Sequence, residues 1–130
     1  MKLPERFSAD DPREWMNRAR GNLARAKTRV PGVYLEDSCF DAQQAAGRAV
    51  KAVMLGYGVD FPHIHDLARL LSILEAHGEQ IPAEVRKASR LTGYAMHSRY
   101  PNLEEAVSEE EYAETITIAE KVVGWAERRL

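Results

Sequence analysis

The chain has 130 residues. A single domain of this size buries roughly two-thirds of its unfolded surface, enough for a core without metal or disulfide staples. With 45% apolar and 29% charged residues, it reads as a folded globular protein and not as a disordered chain. A formal net charge of −2 excludes a whole-surface electrostatic case for nucleic-acid binding, so any basic surface must be local.

Cys39 is the only cysteine, so no intrachain disulfide and no cysteine metal cluster can form, in keeping with a reducing cytoplasm. The opening stretch "MKLPERFSADDPREW" has no apolar run of the kind a signal peptide carries. Nowhere does an apolar run approach the ~20 residues that span a bilayer. The expectation is a soluble, cytoplasmic, single-domain protein over residues 1–130, with no membrane contact, no metal and no cofactor.

The predicted elements are all helical. Asp11 is placed to cap the first helix, Pro12 suits its first position, and Glu14 favours the positive end of the dipole. Trp15, Ala19, Leu23, Ala26 and Val30 then lay an apolar stripe as far as Pro31-Gly32. A second helix follows Glu36-Asp37-Ser38, with Asp37 or Ser38 as its cap. Cys39, Ala42, Ala46, Ala49, Val53 and Tyr57 mark one face, widened by Val50 and Met54, and Gly56 and Gly58 close it. Gly47 costs about 1 kcal/mol against alanine inside a helix, so it is expected to serve packing or contact. A third helix opens at His65 or Asp66, turns Leu67, Leu70, Leu71 and Leu74 inward and ends at Gly78. Pro82 starts a fourth, with Val85, Ala88, Leu91 and Ala95 inward. It must finish before Tyr100, because the residue before Pro101 is pushed out of the helical region. Ser108 with Glu111 three residues on is a capping-box pattern for the last helix. Tyr112, Ile116, Ala119, Val123 and Ala126 form its stripe, with Ile118, Val122 and Trp125 beside it.

Five helices joined by short loops imply an all-α, antiparallel up-down bundle, with a four-helix core plus an extra short helix. The apolar stripes of the second and last helices look larger than a small bundle needs, which leaves surface for self-association. Trp15 and Trp125 are expected to anchor the core or a dimer interface. The first helix is rich in arginine and the start of the last is rich in glutamate, as solvated helix faces and a helix N-terminus commonly are.

Two clusters could carry chemistry. His63 and His65 form a His-x-His pair next to Asp66. At a helix entrance such side chains more often diverge than share a metal, so Asp66 reads as a cap. Tyr94, Arg99 and Tyr100 could form a polar pocket with Gln43, Gln44 and Arg48. A guanidinium with flanking rings suits a phosphate or a stacked base. The competing reading pairs Arg99 with the glutamates that follow and uses Tyr100 to fill the bundle's end.

Three ordered stretches carry a family resemblance: "CFDAQQAAGRAVKAVMLGYG" (39–58), "HIHDLARLL" (63–71) and "LTGYAMHSRYPN" (91–102), followed by an acidic loop and a helix with Tyr112 and Ala113. Over residues 11–130 the chain resembles the HEPN domain, a small helical domain of higher eukaryotes and prokaryotes linked with nucleotide binding, and within it the branch whose fourth helix ends in Arg-Tyr-Pro. The resemblance implies a homodimer, often encoded beside a minimal nucleotidyltransferase in toxin–antitoxin-like pairs. It also implies a cleft facing nucleotide or RNA, to which Tyr94, Arg99, Tyr100, Arg48 and Lys51 would contribute.

Several HEPN branches are metal-independent ribonucleases, with arginine, a polar residue, a short spacer and histidine from two subunits forming one site. Here Arg90 and His97 are separated by six residues, and on a continuous helix a seven-residue step returns both to nearly one face. Histidine could take the proton of a 2′-hydroxyl while arginine stabilises phosphorane charge. The sequence departs from that pattern at Leu91, where a polar residue is usual, and Tyr100 follows His97 by three positions rather than two. Gly47 and Arg48 stand where the family often has glutamate and lysine, while Lys51 keeps the later lysine position. Three functions follow as expectations: a partnered, nucleotide- or RNA-facing module, an endoribonuclease using Arg90 and His97, or a non-catalytic nucleotide-binding regulator.

Overall fold

The computed structural model describes residues 2–97 and 106–130, with residues 96 and 97 described by their backbone alone. Its elements are α1 (Pro12–Lys27), α2 (Leu35–Gly56), α3 (Leu67–Ala76), α4 (Ala83–Arg86), a 3-10 segment (Lys87–Leu91), α5 (Tyr94–His97) and α6 (Glu109–Arg129). No strand occurs among the described residues. Taken as one interrupted rod, α4 to α5 is the expected fourth helix, and the chain is the five-helix bundle its pattern implies. None of the helices is long and apolar enough among the described residues to cross a membrane.

Local chemistry sets most of the boundaries. Asp11 accepts a 2.9 Å hydrogen bond from the Arg13 N–H and caps α1, with Pro12 in the first turn. Asp66 caps α3 by accepting from the Arg69 N–H at 3.2 Å. Ser108 caps α6 by accepting from the Glu111 N–H at 3.0 Å. The reciprocal half of the capping box is not made, because the Glu111 carboxylate accepts from the Tyr94 hydroxyl instead. Helices α2 and α3 end alike. Gly58 (φ +69°) and Gly78 (φ +98°) take the left-handed conformation, and paired bonds reach back: Val59 N–H to Met54 O (2.8 Å) with Gly58 N–H to Leu55 O (3.0 Å), and Glu79 N–H to Leu74 O (3.2 Å) with Gly78 N–H to Glu75 O (2.9 Å).

Three expectations need correction. Helix α1 stops at Lys27, short of Val30, which is 52% exposed. There the Tyr112 hydroxyl of α6 donates to Ala26 O at 2.6 Å, satisfying one of the carbonyls a helix end leaves without a partner. Helix α2 starts earlier than expected, at Leu35 after Tyr34, with no side-chain cap. Glu36 and Asp37 lie inside its first turn, where carboxylates favour the dipole. At its other end Tyr57 lies outside the core, 51% exposed.

The third correction concerns the surplus apolar surface of α2 and α6. Helix α2 is the central rod, packed by α1, α3, α5 and α6, and is buried nearly all round from Cys39 to Met54. Trp125 of α6 is 2% exposed within the same core. The apolar excess is therefore consumed inside one chain and supplies no argument for self-association.

The charge asymmetry of the sequence is also met internally. Arg20, Lys27 and Arg29 of the α1 side pair with Glu127, Glu120 and Glu109 of α6 at 2.7–2.8 Å. These exposed pairs align two helices that buried contacts already hold.

Candidate functional site

The expected fourth helix breaks where its chemistry was to lie. The Thr92 hydroxyl accepts a 3.2 Å hydrogen bond from the Leu67 N–H at the start of α3, drawing the chain toward that helix just before Gly93. The preceding five residues are wound as a 3-10 segment of three residues per turn. The seven-residue phase between Arg90 and His97, which assumed an unbroken α-helix, is lost. Arg90 stands 60% exposed and pairs with Glu114 at 3.1 Å, itself 61% exposed. Leu91, 1% exposed, faces the core, which accounts for an apolar residue where the ribonuclease pattern has a polar one. The side chain of His97 and the whole of Arg99 and Tyr100 lie outside the described residues.

Tyr94 is buried, 7% exposed. Its hydroxyl donates to Glu111, beside Thr115 and Cys39. Burial and the Glu111 carboxylate push its pKa well above the ordinary phenol value. This places Tyr94 near the Cys39 end of α2. Arg48 is nine positions further on, half a turn round the helix at about 100° per residue, and it bonds to α1. The structure does not bring Tyr94 and Arg48 into one pocket. Gln43 is fully buried and donates to His65 O at 3.2 Å, so it is no wall of an open cleft either. At the His-x-His pair, Asp66 is the cap of α3, and no group of three or more His, Cys, Asp or Glu side chains able to hold a metal exists among the described residues.

Arg48 and Lys51 do come together, one turn apart on α2, on the side facing α1. The Arg48 guanidinium donates to Asn22 Oδ1 at 2.7 Å. Asn22 is 4% exposed and passes the contact on through its amide to Asp41 at 3.1 Å, which also receives Arg25 at 2.6 Å. Lys51 is 9% exposed, and its ammonium lies 5.9 Å from the Trp15 ring centre and 5.6 Å from that of Phe61, within reach of a cation–π attraction. Each wall has a local cause. The N-terminal segment folds back so that Ala9 O accepts from the Trp15 indole at 2.7 Å. The Gly58 turn after α2 returns the chain so that Phe61 meets Trp15 edge-on, 5.4 Å between centres. His63, exposed, stands edge-on to Phe61 at 6.3 Å.

Burial lowers the pKa of Lys51, and the neighbouring Arg48 adds to it. Burial likewise lowers that of Arg48, with Arg18 and Arg25 contributing and Asp41 opposing. Arg18 is held by Glu14 at 2.8 Å. Arg18 and Arg25 thus each have a carboxylate partner, Glu14 and Asp41, while Arg48 and Lys51 form no salt bridge among the described residues.

A family model, the HEPN domain, matches residues 12–129. This chain belongs to the HEPN domain family. Its structure is similar to that of TT1696 from Thermus thermophilus, with 30% sequence identity, 92% of this chain and 98% of that chain covered, and a TM-score of 0.77. It is also similar to ST0689, an archaeal HEPN homologue, with 25% identity, 91% and 96% coverage and a TM-score of 0.72. No curated protein matches the sequence.

Within this HEPN domain, Asn22 and Phe61 touch Arg48 and Lys51 without having been singled out in the sequence, and Trp15, expected as a core or dimer-interface anchor, lies beside Lys51. A signal for one of them existed: Asn22 sits between Ala19 and Ala26 on the buried face of α1, where a polar side chain needs a partner. Lys51 carries the same mark, lying between Val50 and Ala52 in a run buried on every side.

Proposed function

We propose that this HEPN domain binds nucleotide or RNA phosphate without cutting it, as a homodimeric cytoplasmic module working with a minimal nucleotidyltransferase in a toxin–antitoxin-like pair. The observation that carries the binding part is the pair of cations Arg48 and Lys51, seated side by side on α2 and in no salt bridge among the described residues. Dimer and partner follow from what membership of this family implies. A guanidinium that already spends one donor on a neutral amide, beside a partly desolvated ammonium, gains more from an incoming oxyanion than a solvated surface pair would.

Arg90 offers a contrast: it is exposed, neutralised by Glu114, and out of helical phase with His97. A ribonuclease reading keeps one supporting fact. A surface ion pair such as Arg90–Glu114 contributes little and is readily exchanged, so Arg90 remains reachable by a second subunit.

The test is a gel-shift and cleavage assay of the purified chain on end-labelled RNA, with its mass in solution measured in parallel. The proposal expects retarded, intact RNA, with retardation lost in Arg48→Ala and kept in Arg90→Ala. Cleavage that disappears in Arg90→Ala and His97→Ala would instead establish the enzyme.

A further inference from the structure

We infer that the Arg48–Lys51 pair on the α1-facing side of α2 takes a terminal phosphomonoester, the 5′-phosphate of a nucleotide or of an RNA end, with Arg48 and Lys51 on the phosphoryl oxygens and the rings of Phe61 and His63 beside the base. The inference rests on the nucleotide-binding reading above and narrows it to one chemical group.

Charge and depth both select the monoester. Arg48 and Lys51, neighbours on α2 and in no salt bridge among the described residues, offer two positive charges to a monoester, which carries about −1.5 to −2 at pH 7, whereas an internal diester carries one. Lys51 is 9% exposed and walled by Trp15 and Phe61. A terminal phosphate can approach so buried an ammonium end-on. A diester, continuing as chain on both sides, would have to bury two sugar linkages to bring its oxygens as close. Arg48 is oriented before any ligand arrives, because Asn22 fixes one end of its guanidinium at 2.7 Å and Asn22 is itself held by Asp41. Its remaining donors form the fork that suits phosphate oxygens. Beside Lys51, Phe61 and the exposed His63 are packed edge to face, so a free ring face is at hand for a base, and such stacking does not depend on base identity.

The inference can be tested in the intact chain by calorimetry, with tryptophan fluorescence, to which Trp15 and Trp125 both contribute, as a second readout. The probes are inorganic phosphate, a nucleoside, its 5′-monophosphate, and one short RNA prepared with a 5′-phosphate or a 5′-hydroxyl. The monophosphate is expected to bind at least about ten-fold more tightly than the nucleoside, and the 5′-phosphate RNA about ten-fold more tightly than its 5′-hydroxyl twin. Lys51→Met, which keeps the stem's packing and removes a partly buried charge, should fold normally and abolish that preference. Phe61→Ala should weaken the monophosphate and leave inorganic phosphate unchanged. Equal affinity for both RNA ends, with both weakened in Lys51→Met, overturns the monoester inference and leaves the binding proposal standing. RNA and nucleotide affinities that are unchanged in a folded Lys51→Met and in Arg48→Ala overturn both.

Discussion

Gly47 lies in the middle of α2, inside the core, and its substitution by alanine is expected to stabilise the protein. A Cβ built there meets nothing closer than Leu67 Cδ2 at 3.6 Å, an ordinary van der Waals distance that asks no neighbour to move. The helix therefore does not need a glycine for the approach of α3. Replacing glycine by alanine in a helix interior is worth about 1 kcal/mol, much of it from a less flexible unfolded chain. The added methyl is buried and contributes a few tenths more, up to ~0.8 kcal/mol. For a domain of this size a gain of about 1–1.5 kcal/mol raises Tm by about 3–6 °C. Urea unfolding followed by circular dichroism reads the free energy directly, with an unchanged m-value showing that the unfolded state is comparable. Gly47→Val is the control: its branched side chain loses rotamer freedom and needs more room beside Leu67, so it should gain less than alanine or lose stability. A lower urea midpoint for Gly47→Ala would refute the packing argument, since it would mean that α2 and its neighbours leave no space for one methyl group.

Two other substitutable or reactive groups give independent checks. Tyr112→Phe removes the donor to Ala26 O and leaves a buried carbonyl without a partner, so it should cost about 1–2 kcal/mol in urea unfolding; a neutral result would mean that water reaches the end of α1. Cys39 is fully buried, and burial pushes its thiol up to about 11, against a hydrogen bond from Thr115 that pulls the other way. Thiol-reagent labelling at pH 8 should therefore be slow and accelerate with denaturant as unfolding does. The same shift fixes the sign of a pH effect. Above the unfolded thiol's value near ~8.5 the unfolded chain gives up a proton that the folded chain keeps, so this group's contribution to stability declines from there to about 11. Rapid stoichiometric labelling of the native protein, or stability rising across that window, would contradict it.

How much of this was legible in the sequence depends on whether the cause was local. Asp11, Asp66 and Ser108 are caps because a side chain two or three residues from a free N–H can reach it, and Gly58 and Gly78 end helices because their backbone angles suit few other residues. Such causes are written within a few positions. The early stop of α1 was not, because the group that completes its end, Tyr112, is 86 residues away. Nor was the break in the fourth helix, where Thr92 is engaged by Leu67 across 25 residues. At the site, Arg48 and Lys51 were visible as cations on one helix, one turn apart. Their aromatic walls come from the N-terminal side of α1 and from the loop after α2, and only tertiary packing brings those together. Tyr94 and Arg48 looked like neighbours in composition, yet the roundness of α2 sets them back to back.

The tie between Tyr112 and Ala26 has a practical side. Because α1 is already finished off by a phenol from α6, the link to α2 has little left to do. Val30, Val33 and Tyr34 stand 52%, 47% and 76% exposed, and the link's own turn is closed by a single Val33-to-Val30 bond. A reporter peptide or a protease recognition sequence spliced in at Pro31-Gly32 would be presented on a tether whose two anchor points are held elsewhere, leaving the rest of the chain free to fold around α2 as before.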